Sequence, residues 1–442
     1  MGFFGLILDR MSMIGYHKHI GYRAGILSII YGNTMRLLLS ICCIFSLLGC
    51  DVQNKEEKND LQAHPIAKDS INKKKDTIPV SSELPRGLDT TIDETSRFIA
   101  GLPMAGNRLR GVASYGFYQV HTKRMQELFR RVKSKRLQPM TQFSQTELAA
   151  DKVGEGTLFY PFSGPDALHA VTLFPNYKQY VFIAFEPPGT FKKFSSRDTS
   201  GIPDYLQSVQ ININEVTNYS YFITDKMRKF ITAEKVDGAL PLIGLFLVHT
   251  EHTLIGHGRR YLHANGTIDT NPRDTSKIPA QEVHDIYFTK NGTTYIQRLT
   301  YIYANLGNAA YSSKIGFSNN TPLRTFLNGM SGFNTYVKSA SYLMHNAGFS
   351  EIRNFLLSKA NTVFQDDTGI PFENYDQRTW DFVFYGRYAR PINLFAKRYS
   401  PALDSAYANP SFTKRPLPFM SGYLLRRGDA QNIYKAIRKS AR

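Results

Sequence analysis

The chain has 442 residues, 42% of them hydrophobic and 13% aromatic, which is ample for a sizeable core and too apolar for a chain disordered throughout. Its formal charge is +18, and its only cysteines, Cys42, Cys43 and Cys50, fall in the first 50 residues. Beyond Asp51 a disulfide, a thiolate zinc site, an iron–sulfur cluster and a cysteine nucleophile are therefore excluded, and the folded part must be held by packing.

From Met35 the sequence reads MRLLLSICCIFSLLGC. A charged start at Arg36 is followed by an apolar run from Leu37 to Leu48, too short for the roughly 20 residues of a membrane-spanning helix but suited to a secretion signal. Leu47-Leu48-Gly49-Cys50 resembles the lipobox of bacterial lipoproteins, in which a peptidase cuts before a cysteine that carries diacylglycerol on its sulfur. The resemblance implies a signal region over 1–49, with Met35 as the expected start of translation, and lipid on Cys50. It places the mature chain in the cell envelope, anchored to the outer membrane with either the periplasmic or the surface face open. Lys55-Glu56-Glu57 resembles the short acidic signals that direct some lipoproteins to the cell surface. Residues 50–96 lack aromatics up to Ser96 and are dense in polar residues and proline, so they are expected to form a disordered tether.

Residues 97–442 are read as one α/β domain: a mixed sheet with helices packed on it, Rossmann-like in part, with one or two β-hairpins. His121 to Arg136 spaces Met125, Leu128, Phe129 and Val132 as an amphipathic helix with a basic outer face. Phe159–Phe162 and Tyr180–Phe185 read as buried strands joined by a helix from Asp166 to Phe174. Next come a helix over Ile211–Phe230 and a long apolar strand over Ala239–Thr250. Asn265-Gly266 and Asn291-Gly292 mark hairpins, the second pairing Val283–Lys290 with Thr293–Asn305. After Pro322 the chain is expected to be helical through Phe333, Tyr336, Val337, Ala340 and Met344, and again over Phe349–Leu356. Strands follow at Asn361–Gln365 and Asp381–Tyr385, and the basic C-terminal residues suggest a turn and helix.

The segments FYPFSGPD (159–166), YVFIAFEP (180–187), KSASYLMHNAGFSEIR (338–353) and FQDDTGIPF (364–372) resemble a family of exported bacterial proteins. That resemblance implies a shared fold and export, and no particular activity.

The sharpest chemical pattern is strand, Ser163-Gly164-Pro165-Asp166, helix, strand, Glu186. An acid about 20 residues after a glycine turn, at the end of the second strand, fits half of a nucleotide-binding fold. The loop has a single glycine where that fingerprint wants three, and Pro165 removes an amide donor. Soluble nicotinamide or methyl-donor cofactors are not expected in the envelope either, so the topology is kept and no cofactor is expected. Ser163, Asp166, Glu186, His345, Asp366 and Asp367 are the candidate site residues, since open α/β sheets place their sites at such strand ends. Asp366 and Asp367 could share a proton or hold a cation, or simply close a turn with Gly369 and Pro371.

A Gly-x-Ser-x-Gly elbow is absent, Gly329-Met330-Ser331-Gly332-Phe333 missing its last glycine. His249, His252, His257 and His263 make the densest histidine cluster, but Gly256 and Gly258 are expected to break the strand that would align them, and no His-Glu-x-x-His pair points to zinc. Asp367-Thr368-Gly369 has no second copy for an aspartic-protease pair. Arg427-Gly428-Asp429 imitates an adhesion tripeptide inside a basic terminal stretch. Two functions stand. One is a binding or structural lipoprotein whose partners are the membrane, through its anchor, and an anionic glycan, a lipid head group or an envelope protein. The other is an envelope hydrolase with a carboxylate/Ser/His site. The hydrolase reading expects its residues to converge in one pocket; the other expects no concave polar cluster. No nucleic-acid partner is expected.

Overall fold

The computed structural model describes residues 84–148, 156–197, 199–219, 236–273, 280–308, 322–330, 332–423 and 431–441. The segments expected as signal region and tether (up to residue 83), Cys50, Ser331 and Arg427-Gly428-Asp429 lie outside the described residues. Three helices open the fold: α1 (Ile92–Ala100), α2 (Gly116–Val132) and α3 (Gln138–Glu147), with a π-helical turn, Lys133–Leu137, joining the last two. There follow β1 (Thr157–Pro161), α4 (Ala167–Leu173), β2 (Gln179–Ala184), α5 (Ile202–Tyr219), α6 (Leu240–His249), β3 (His252–Leu262), β4 (Ile268–Asp269), β5 (Gln281–Lys290) and β6 (Gln297–Tyr303). The chain continues with α7 (Pro322–Gly329), β7 (Asn334–Val337), α8 (Ser350–Lys359), β8 (Thr362–Gln365), β9 (Trp380–Gly386), α9 (Pro401–Ala408), β10 (Thr413–Arg415) and β11 (Asn432–Arg438).

These strands form one mixed sheet in the order β10-β9-β11-β8-β7-β1-β2-β6-β5-β3-β4. Its centre, β6-β2-β1-β7-β8, is parallel throughout. Counted along the chain these strands run third, second, first, fourth and fifth, the order of doubly wound nucleotide-binding sheets. Antiparallel strands flank both sides: the β5-β3-β4 meander beyond β6, and β11 inserted between β8 and β9. Side chains on the central strands alternate between two cores. Leu158, Tyr160, Tyr180 and Phe182 face the one built with α1 to α6. Phe159, Val181 and Ile183 face the one built with α7 to α9. Each such fully buried aliphatic or aromatic side chain stabilises the fold by roughly 1.5–3 kcal/mol.

Several expectations are corrected. Ala239–Thr250 is the helix α6, not a strand; Leu240 to Val248 are buried on every side, so the segment lacks any period that would distinguish helix from strand. Tyr336 and Val337 belong to β7, a short strand buried on both faces whose neighbours happened to fall at helical intervals. The C-terminal residues form β11, in which Lys435 donates to the Glu147 carbonyl at 3.0 Å and Arg438 to the Ala360 carbonyl at 2.9 Å, so basic side chains here secure carbonyls of the packed fold. The second hairpin connects β5 to β6 by a longer loop, with Phe288 opposite Gln297. The helix expected over Ile211–Phe230 starts at Ile202, and residues 220–230 lie outside the described ones.

Residues 84–96, expected as the end of a tether, belong in part to the fold. Asp89 bridges His257 on β3 through backbone bonds of 2.8 and 3.1 Å, and Ile92, Thr95 and Ser96 are buried in α1. Gly256 and Gly258 explain this contact: a Cβ at either would press within 2.8–2.9 Å of Leu88. They do not break β3, which runs through both with a register shift between Leu254 and Gly256. Among the described residues no helix is long and apolar enough to cross a membrane.

Candidate functional site

The order of the central strands reverses between β1 and β7, so their connections leave in opposite directions and open a crevice at the C-terminal ends. The crevice is lined by Ser163 and Asp166 after β1, Glu186 after β2, and Lys338, Ser339 and Ser341 after β7. The backbone bends sharply around it. Phe162, Ser339, Ser341 and Tyr342 all take positive φ between 53° and 58°, a conformation that costs a non-glycine residue about 1 kcal/mol or more. Such strain persists where neighbours over-determine the geometry.

Asp166 is the hub. Its Oδ1 caps α4, accepting from the His169 backbone N–H at 3.2 Å and from His169 Nδ1–H at 2.6 Å. Its Oδ2 accepts from Tyr160 Oη–H at 3.0 Å and Lys338 Nζ at 2.6 Å. Lys338 Nζ also lies 2.9 Å from His169 Nδ1. Asp166, His169 and Lys338 are all nearly inaccessible to solvent. Burial works against the Asp166 carboxylate, but the charges and hydrogen bonds of His169 and Lys338 prevail and hold its pKa below the ordinary range. Burial lowers the Lys338 pKa, opposed by Asp166. His169 is pushed down to about 4 by burial despite its carboxylate partner, so at neutral pH this is a hydrogen bond from a neutral imidazole to the carboxylate. Arg136, from the π-helical turn, adds a buried cation whose pKa falls to about 10 through burial, with Asp166 resisting.

On the other side of the Lys338–Tyr342 loop lie Asp366 and Asp367, at the end of β8. Asp366 Oδ2 accepts from the Ser339 N–H at 2.9 Å, and its Oδ1 from Thr368 N–H at 3.0 Å and Thr368 Oγ1–H at 2.5 Å. Thr368 Oγ1 in turn accepts from the Ala340 N–H at 2.7 Å. Asp367 accepts from Tyr342 Oη–H and from Asn432 Nδ2–H at 2.9 Å. Tyr423 Oη–H donates to the Ser339 carbonyl at 2.9 Å. Ser341 Oγ lies 2.6 Å from the same Tyr423 hydroxyl, so every residue of the strained loop from Ser339 to Tyr342 is held by a hydrogen bond. Burial and the adjacent Asp367 push Asp366 up to about 7, and burial raises Asp367 as well.

Of the six residues expected from sequence, Ser163, Asp166 and Glu186 meet in the crevice, while Asp366 and Asp367 line a separate, smaller recess behind the loop. His345 lines neither; it stands in a short 3-10 turn, its ring 5.1 Å from that of Tyr342. Ser163 Oγ–H donates to the Ile183 carbonyl at 3.4 Å and not to a histidine. Lys338, His169, Arg136 and Tyr342 escaped the sequence reading because their roles depend on β7 lying beside β1, which no local pattern announces. The histidines do not converge: His249 stacks on Phe129, His263 pairs with Asp269 at 2.8 Å, and His257 contacts His284 at 3.1 Å. Among the described residues no cluster of histidines and carboxylates could hold a metal ion.

Comparison with protein-family models, with curated proteins and with solved structures finds no match in any of the three.

A concave polar cluster is present, against the expectation attached to a binding or structural role, but its groups are furnished to hold a ligand. Both Asp166 oxygens accept two hydrogen bonds each, which leaves this carboxylate poorly placed to act as a base. It also occupies the N-terminus of α4, where a doubly wound sheet would seat a pyrophosphate.

Proposed function

We propose that this chain is a lipid-anchored envelope protein whose α/β domain binds a small hydroxylated ligand, a sugar or nucleoside without a bound phosphate, in the crevice between β1 and β7. The observation that carries this reading is the convergence of Ser163, Glu186, Lys338, Ser339 and Ser341 on the point where the strand order reverses. A carboxylate at the end of the second strand suits a vicinal diol, which donates two hydrogen bonds to it. The capped α4 terminus disfavours phosphate, because the chain's own carboxylate would repel it. The hydrolase alternative, with Asp366 and Asp367 as acid/base or cation ligands and Ser163 or His345 assisting, draws less support, since these residues line separate recesses or none and Ser163 Oγ–H is given to a backbone carbonyl.

Thermal-shift measurements on the full chain with adenosine, 2′-deoxyadenosine and ribose test the binding reading. Adenosine and ribose are expected to raise the melting temperature, deoxyadenosine not, and Glu186→Gln to abolish the effect. Equal shifts with the deoxy probe, or none at millimolar ribose and adenosine, would overturn it. Palmitate labelling that is lost in Cys50→Ser tests the anchor separately.

A further inference from the structure

We propose that the outer face of α2 is a docking surface for anionic phospholipid. From Gly116 to Leu137, α2 and the turn after it expose Lys123, Arg124, Arg130, Arg131, Lys133 and Lys135, with Glu127 the only acid in the segment. The ion pairs here are Arg130–Glu127 at 3.0 Å, Arg131–Glu127 at 3.6 Å and Lys133–Glu251 at 2.9 Å. Each joins side chains more than half exposed, so water screens them and they yield readily to a stronger anionic field.

Between α2 and α5 this face opens into a groove of about 570 Å³. Its floor includes Met125 and Leu128, its apolar rim Val120, which is 51% exposed, and its charged rim Lys123, Arg124 and Arg131. Cations bordering an apolar trough match an amphiphile, whose head group takes the charge and whose chain takes the floor. A sulfated or phosphorylated glycan would use the cations and leave the trough wet.

The groove has a rigid base. His121 Nε2–H donates to the Ile99 carbonyl at 2.9 Å, and its Nδ1 accepts from Gln210 on α5 at 2.7 Å. Tyr118 Oη–H reaches the Phe98 carbonyl at 3.1 Å. These bonds lock α2 to α5 and to α1, the first helix after the chain enters the described fold at Leu84. The residues before Leu84 are those read as anchor and tether, so the basic helix α2 is bonded directly to α1, the helix nearest their point of entry.

Flotation of the purified full chain with Cys50→Ser, which removes any acyl contribution, tests the proposal. Vesicles of phosphatidylcholine alone are compared with vesicles that also contain phosphatidylglycerol. Binding is expected only with phosphatidylglycerol, and it should fade as salt shortens the Debye length from about 10 Å toward 3 Å. Each cation near such a surface contributes about fivefold to partitioning, so Lys123→Gln/Arg124→Gln should weaken binding about 25-fold. Lys414→Glu, an exposed reversal on β10, should change it little. The proposal fails if both vesicle types bind alike, if Lys414→Glu matters as much as the α2 pair, or if soluble dextran sulfate binds while vesicles do not. Glu186→Gln, which tests the crevice, should leave flotation unchanged.

Discussion

Lys338 and Asp166, 172 residues apart in the chain, meet at 2.6 Å across the point where the strand order reverses, and both are almost wholly buried. Removing one partner leaves the other charge stranded in a low-dielectric interior. Lys338→Met is therefore expected to lower unfolding free energy by about 3–5 kcal/mol. Urea denaturation of Lys338→Met, Asp166→Leu and the double variant would check this. The double variant should lose much less than the sum of the singles; strict additivity would show that the pair is not coupled.

His169 supplies a second test. Its Nδ1–H is committed to Asp166 and its pKa is pushed down to about 4, so the ring should stay neutral and in one tautomer from pH 5 to 8. Nitrogen NMR of the labelled protein reads this directly. A titration midpoint near the ordinary value of about 6.5 would contradict the arrangement.

Asp366 reverses the usual sign of acid sensitivity. Its folded pKa, about 7, lies above the unfolded value, so the native state holds more protons than the unfolded one between about pH 4 and 7. This group's contribution is fully present below about pH 4 and is lost as pH rises through 7. Denaturation midpoints compared across that window should show a decline that Asp366→Asn flattens. If the variant follows the parent's pH dependence, another group is responsible.

Gly189 and Gly238 allow two backbone segments to touch. Both have positive φ, 63° and 80°, and a Cβ at Gly189 would overlap the Asp237 carbonyl. Gly189→Ala should cost roughly 2–4 kcal/mol through strain and backbone displacement together. Gly292→Ala, in an open turn at φ 82°, should cost only the conformational part, about 1 kcal/mol. Similar losses at the two positions would mean the close approach is unimportant.

The β1-α4-β2 unit was readable because Phe159–Phe162 and Tyr180–Phe185 are apolar runs closed by turn residues, and Asp166 stands where a helix cap belongs. That unit carried Ser163, Asp166 and Glu186 with it. α6 was not readable, since nine consecutive apolar or small residues, Leu240 to Val248, fit a buried strand equally well. β7 was hidden by its brevity, and with it Lys338, whose meaning comes from a neighbour 172 residues away. Long-range pairing, not local preference, placed the rest of the site.

β11 is antiparallel and sits between β8 and β9, so among the described strands β9 and β10 join the rest of the sheet only through it. Residues 432–438 follow every other described strand along the chain. Until they have been made, a nascent chain has no way to stitch that flank together, and two open strand edges invite mispairing. A sheet with this topology favours late closure, after β11 has been synthesised and can bridge β8 to β9.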